Sequence, residues 1–113
     1  MKYTVYHNPR CSKSRMAVNY LEAQNKDFEV VEYLKDVPSN DELREILNKL
    51  DMKPEDLLRK GESIFKEKFK GKNLTEDQWI TAMLENPKLI ERPIVIKGNR
   101  AVVARPTEKI EEL

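Results

Sequence analysis

Apolar residues along this chain fall into three successive patterns: short β-branched runs, then 3.6-residue spacing, then short β-branched runs again. Lys2 to Tyr6 is aromatic and β-branched with Val5 at its centre, which predicts a strand. His7-Asn8-Pro9-Arg10 predicts a turn, because Asn-Pro initiates one. From Cys11 the spacing becomes helical: Ala17, Tyr20, Leu21 and Gln24 recur at i, i+3, i+4 and i+7, three of them apolar. Phe28 to Tyr33 predicts a second strand. Strand, helix, strand is a βαβ unit, so the two strands are expected to run parallel with a right-handed crossover.

The middle of the chain reads as helical. Ser39 and Glu42 match the capping box S-x-x-E, and Leu43, Ile46, Leu47 and Leu50 follow as one stripe. Pro54, Glu55 and Asp56 open a short helix that Gly61 is placed to end. Ile64, Phe65 and Phe69 predict another helix, stopped near Gly71. Thr75 and Gln78 form a second capping pair ahead of Trp79, Ile80, Met83 and Leu84, and Asn86-Pro87 closes that helix. Strand pattern then returns at Ile94-Val95-Ile96 and Ala101-Val102-Val103, with Gly98-Asn99 fitting a two-residue hairpin turn. Pro106 suits the first position of a closing helix. The expected architecture is α/β, βαβ then ββα, in one domain of residues 1–113 with a helical insertion over 39–87.

Composition narrows the function. At 113 residues the chain has the length of one domain, and 36% charged against 39% hydrophobic residues leaves enough apolar side chains for a core. The 21 basic and 20 acidic residues nearly cancel, so nothing in the whole-chain charge argues for nucleic acid. No apolar run has the length of a membrane span, and the first residues lack a secretory pattern, so a cytoplasmic protein is expected. One cysteine, Cys11, excludes an internal disulfide and a multi-cysteine zinc site; with His7 as the one histidine, no metal site is expected.

The charge is uneven. Residues 1–21 hold Lys2, Arg10, Lys13 and Arg15 and no acid, so a small basic region surrounds the thiol on a mildly acidic body. The lysine-rich stretch from Lys60 to Lys72 also carries Glu62 and Glu67, which reads as a solvated helix face. A cysteine after a strand and turn, opening a helix, meets free N–H groups and the positive end of the helix dipole, both favouring thiolate. The dipole is worth about 0.3–1 kcal/mol, less than a tenfold change in ionisation. Arg10, Lys13, Arg15 and His7 are the expected sources of the rest. Ser14 stands where a Cys-x-x-Cys pair would have its second cysteine, so redox turnover has to borrow a thiol from another molecule. Ala17 occupies the position at which a phosphatase loop needs arginine. His7 reads equally as a base, a thiolate partner or a turn histidine, and Asn8 as a turn-shaping residue or an anion donor.

The run Tyr6-His7-Asn8-Pro9-Arg10-Cys11-Ser12-Lys13-Ser14-Arg15 closely resembles the active-site loop of the glutaredoxin-coupled arsenate reductases, the ArsC family. Leu57-Leu58-Arg59-Lys60-Gly61, Ile90-Glu91-Arg92-Pro93-Ile94-Val95 and Ala104-Arg105-Pro106 resemble the family's three arginine motifs in the same order. The resemblance spans the chain and implies a thioredoxin-like fold with a mixed four-stranded sheet. It implies arsenate reduction to arsenite through a Cys11 thiol–arsenate adduct, with Arg59, Arg92 and Arg105 holding the oxyanion. His7, Asn8, Ser14 and Arg15 would support the site, and Pro93 would be structural, like the cis-proline of thioredoxin-like folds. No bound cofactor is implied. The implied partners are arsenate or a similar oxyanion, glutathione as co-substrate, and glutaredoxin, with the chain a monomer and without nucleic acid or membrane. Where family members best known for arsenate reduction often carry Gly-Thr after the cysteine, this chain has Ser12-Lys13. The alternative is a non-catalytic, Spx-like redox regulator that binds RNA polymerase; many of those carry Cys-x-x-Cys.

Overall fold

The computed structural model describes residues 2–113 and divides into two compact units. Met1, part of the expected 1–113 domain, lies outside the described residues. The first unit joins residues 2–36 to Arg92–Leu113, and the second is Val37–Glu91.

The first unit is a four-stranded mixed sheet in the order β2-β1-β3-β4. Strand β1 is Tyr3–Tyr6, helix α1 is Ser12–Ala23 and β2 is Phe28–Val31. β1 and β2 pair in parallel, Tyr3 opposite Phe28 and Tyr6 opposite Val31, as the βαβ reading requires. β3 (Ile94–Lys97) runs antiparallel to β1, and β4 (Arg100–Val103) antiparallel to β3. The hairpin turn is Gly98-Asn99, with a positive φ of 63° at Gly98, the turn position at which glycine carries no steric penalty.

Tyr3, Val5, Ala17, Leu21, Val95, Ala104 and Ile110 form the buried cluster between the sheet and α1. Alternate residues of β1 and one face of α1 therefore bury together. The stripe of α1 is narrower than its sequence suggests: Gln24 is the C-cap and exposed, and Ser14 takes a fully buried place on the same face.

The second unit packs α2 (Asn40–Leu50), α3 (Ser63–Lys68) and α4 (Glu76–Glu85). Both capping boxes form: the Glu42 N–H donates to Ser39 Oγ at 3.1 Å, and the Gln78 N–H to Thr75 Oγ1 at 3.2 Å. Leu43, Ile46 and Leu47 of α2 are buried, as are Trp79, Ile80 and Met83 of α4. Arg44 of α2 pairs with Asp77 of α4 at 2.6 Å. Phe65 and Phe69 pack against Trp79 at ring-centroid distances of 6.2 and 6.0 Å.

Several boundaries differ from the sequence reading. The expected Pro54 helix is one 3-10 turn, Pro54–Leu57, and Gly61 does not end it. Leu58 instead leaves in extended conformation and bridges Ile90; the Arg59 N–H donates to the Leu89 carbonyl and the Glu91 N–H to the Leu57 carbonyl. These backbone pairs hold residues up to Glu91 in the second unit. The closing segment Thr107–Glu112 is also 3-10, and Pro106 caps it instead of opening it. β2 stops at Val31, before the predicted Tyr33. No helix among the described residues is long and apolar enough to cross a membrane.

Candidate functional site

Strand register determines what meets at the end of the sheet. Tyr6, the last residue of β1, lies opposite Val31 on one side and Ile94 on the other, and Ile94 lies opposite Val103. The segments leaving β1, leaving β2, preceding β3 and following β4 therefore share one end. They carry His7 to Cys11, Glu32, Arg92-Pro93 and Ala104-Arg105 respectively. The His7 N–H donates to the Val31 carbonyl at 2.8 Å, and the Ala104 N–H to the Pro93 carbonyl at 2.9 Å, continuing the sheet's pairing past the strand ends. The Arg92-Pro93 and Arg105-Pro106 peptide bonds are both cis.

The loop after β1 folds on itself. Asn8 Oδ1 accepts from the Arg10 N–H at 3.0 Å and the Asn8 carbonyl from the Cys11 N–H at 3.0 Å, so Asn8 shapes the turn. Ser14 Oγ, fully buried, accepts from the Asn8 N–H at 3.3 Å and ties the loop to the first turn of α1. Arg15 Nη1 donates to the Pro9 carbonyl at 2.9 Å.

Cys11 is the N-cap residue of α1 and 8% exposed. Burial raises its pKa, but the Ser14 N–H, the Arg92 charge, the Lys13 N–H and a hydrogen bond from the Arg92 side chain outweigh that, holding the thiol below its ordinary value. The N–H groups of Ser14 and Lys13 are the free donors of a helix start and act on the sulfur as they would on a capping oxygen.

This changes the sources of thiolate stabilisation. The decisive cation is Arg92, whose Nε and Nη1 are shut away from solvent, where its field is little screened. Arg15, read as a source of charge for the thiol, is exposed and braces the loop through Pro9. His7 is half-buried; burial, aided by the Arg15 charge and opposed by Glu32, lowers its pKa, so at neutral pH it is uncharged and adds no cation. Its Nδ1 is buried and has no hydrogen-bond partner among the described residues. Sequence reasoning did not single out Glu32, although its place just after the strand paired with Tyr6 carries that information.

Arg105 is half-buried and follows β4 at the same end of the sheet; its N–H donates to the Val103 carbonyl at 2.8 Å. Arg59 belongs to the second unit. There its guanidinium pairs with Glu62 at 3.0 Å and Glu91 at 3.5 Å, its side chain 24% exposed. Among the described residues no three His, Cys, Asp or Glu side chains gather as a metal site would require. The arrangement at Cys11 is a thiol of lowered pKa beside a guanidinium, a pairing suited, once the thiol ionises, to attack on the central atom of an oxyanion.

The chain is similar in sequence and fold to known proteins. The chain is 41% identical over 109 residues to a Neisseria meningitidis (serogroup B) protein named arsenate reductase, covering 95% of this chain and 93% of that one. It is 41% identical over 111 residues to the uncharacterized protein YfgD of Escherichia coli K12, covering 96% and 93%. The solved structure of an arsenate reductase from Vibrio cholerae superposes with a TM-score of 0.95 at 39% identity, covering 99% of this chain and 97% of that one, and its fold is the thioredoxin-like one described above. The ArsC family profile matches residues 6–113, from the last residue of β1 through the cysteine loop and all three arginine motifs, and the chain belongs to the ArsC family.

Proposed function

We propose that this protein is an arsenate reductase that converts arsenate to arsenite through a covalent adduct at Cys11, with glutathione and glutaredoxin as reductants. The observation that carries the reading is the Cys11 thiol, held below its ordinary pKa by Arg92 and the opening N–H groups of α1. Relatives at this level of identity bear the name arsenate reductase.

In the proposed reaction the Cys11 thiolate attacks arsenic and displaces one arsenate oxygen as water, giving a thiol–As(V) adduct. Reduction to As(III) takes two electrons. One cysteine cannot supply them and close a disulfide within the chain, so two external thiols do, ending as a disulfide. Glutathione adds at arsenic with loss of a second oxygen as water. The glutaredoxin thiol attacks the glutathione sulfur, so that the As–S bond to glutathione breaks with its electron pair left on As(III). Water then cleaves the Cys11–As bond to release arsenite and the free thiol. Arg92 and Arg105 hold oxyanion oxygens through paired N–H donors and stay charged throughout. Arg59 is proposed as the third arginine on the strength of its sequence motif, and Pro93 as the structural proline before β3. The reaction calls for no bound cofactor or metal, no nucleic acid and no membrane, and the chain acts as a monomer. A cytoplasmic setting, where thiols stay reduced, suits it.

The test is arsenate-dependent NADPH oxidation coupled through glutathione reductase, glutathione and glutaredoxin. Turnover that disappears in Cys11→Ser supports the reading. Absence of turnover with the complete reductant system overturns it.

A further inference from the structure

The cations next to Cys11 in sequence are not the ones that ionise it. Arg10 and Lys13 flank the buried thiol at one and two residues, and both side chains are exposed. Arg15, also exposed, spends one guanidinium nitrogen on the Pro9 carbonyl. The described residues pair Lys2, Lys35, Arg44 and Arg59 with acids, but give Arg10, Lys13 and Arg15 no acidic partner within 4.0 Å. Glu32, which acts on His7, is paired with Lys35 at 3.8 Å. Exposed positive charge within two residues of the thiol is thus used by neither the thiol nor an ion pair among the described residues. Solvated cations at a reaction centre raise the local concentration of an anion and its rate of encounter.

We propose that Arg10 and Lys13 form a selectivity collar that admits anionic thiols, those bearing carboxylates, as the reductants that discharge Cys11. This rests on the proposed function in one respect, that an external thiol must discharge Cys11. A small oxyanion needs direct donors at the reacting atom, which Arg92 offers. A thiol carrying carboxylates a few bonds from its sulfur needs solvated cations close to the reacting atom but not on it, and Arg10 and Lys13 are exposed one and two residues from Cys11.

Thiol exchange at Cys11 tests the collar without arsenate. Cys11 is first converted to its neutral 2-pyridyl disulfide with 2,2′-dipyridyl disulfide. An added thiol attacks the Cys11 sulfur as thiolate, forming a mixed disulfide; the S–S bond breaks and pyridine-2-thione leaves with the proton. The thiols are 3-mercaptopropionate (anionic), 2-mercaptoethanol (neutral), cysteamine (cationic), and glutathione with its dimethyl ester. Each rate is corrected for thiolate fraction and nucleophilicity with a small pyridyl disulfide. The expected result is an order of 3-mercaptopropionate above 2-mercaptoethanol above cysteamine, with an anion preference of about fivefold to tenfold at low salt. Raising salt to 0.5 M should collapse the preference, because screening shortens with ionic strength. Arg10→Gln/Lys13→Gln should lose it at low salt, with iodoacetamide alkylation of reduced Cys11 unchanged as the control for thiol ionisation and folding.

Equal corrected rates for anionic and neutral thiols, or a preference that survives in the double variant, overturn the collar. Either result leaves arsenate reduction standing, because the exchange needs no arsenate. A preference that moves with the collar in a protein without arsenate turnover would leave the collar standing and remove the proposed reaction.

Discussion

The Arg92 side chain reaches the Cys11 thiol from the far side of the chain, because β1 and β3 run antiparallel with Tyr6 opposite Ile94. Cys11 follows the end of β1 and Arg92 precedes the start of β3, so the pairing that builds the sheet also delivers the cation. The remaining stabilisation comes from the N–H groups of Ser14 and Lys13.

Alkylation of Cys11 by iodoacetamide should therefore titrate with a midpoint below that of a free cysteine. Arg92→Ala should raise the midpoint clearly and Arg15→Ala much less, since Arg15 is tied to the Pro9 carbonyl. Because the folded thiol ionises more readily than the unfolded one, wild-type stability should be greatest above the ordinary thiol pKa. It should decline as pH falls through the lowered folded value, a slope Cys11→Ser lacks. A midpoint at or above that of free cysteine would refute the account of the site.

His7 contributes on the acid side. Burial lowers its pKa, so the folded state favours neutral imidazole and its contribution is present above the ordinary histidine value. That contribution is lost as pH falls through the ordinary value toward the lowered one. Melting temperature from pH 7.5 to 5 should fall more steeply for wild type than for His7→Gln. Parallel curves would show that His7 is not shielded.

The three arginines can be separated from surface ion pairing. A charge-assisted hydrogen bond contributes roughly 1.5–3 kcal/mol, so Arg92→Ala, Arg105→Ala and Arg59→Ala should each lower kcat/KM for arsenate about tenfold to a hundredfold. Lysine should restore only part, since a point charge lacks the paired donors. Arg59→Ala also removes the Arg59 ion pairs with Glu62 and Glu91, so Glu62→Gln and Glu91→Gln are needed as controls. Wild-type activity in all three alanine variants would refute the clamp.

Intact-protein mass spectrometry during turnover should show a single adduct, at Cys11, an arsenic-linked glutathione. Turnover sustained by thioredoxin alone would contradict the proposed reductants.

Ser14 tests how the loop is held. Ser14→Ala removes the acceptor of the part-buried Asn8 N–H and should cost about 0.5–1.5 kcal/mol in urea unfolding, the range for losing an ordinary hydrogen bond. It should leave α1 intact, because the helical hydrogen bonds do not pass through Oγ. No loss of stability would show that the loop is held by Asn8 and Arg15 without it.

Local chemistry alone determined much of this protein. The capping pairs Ser39–Glu42 and Thr75–Gln78, the Gly98-Asn99 turn, the βαβ order and the thiol-bearing helix start all depend on local stretches of sequence. The ArsC motifs were legible for the same reason, being short and contiguous. Tertiary structure decided what bears on the thiol. Charge near Cys11 in sequence pointed to Arg10, Lys13, Arg15 and His7, but an exposed cation is screened by water, and partial burial disfavours the charged form of His7. Arg92 acts because strand pairing brings it in and burial strips water from its nitrogens. Ser14 reads as a missing redox cysteine, yet its oxygen anchors the loop. Gly61 failed as a helix stop because Leu58 and Ile90 pair their backbones first, a long-range contact that no local pattern announces.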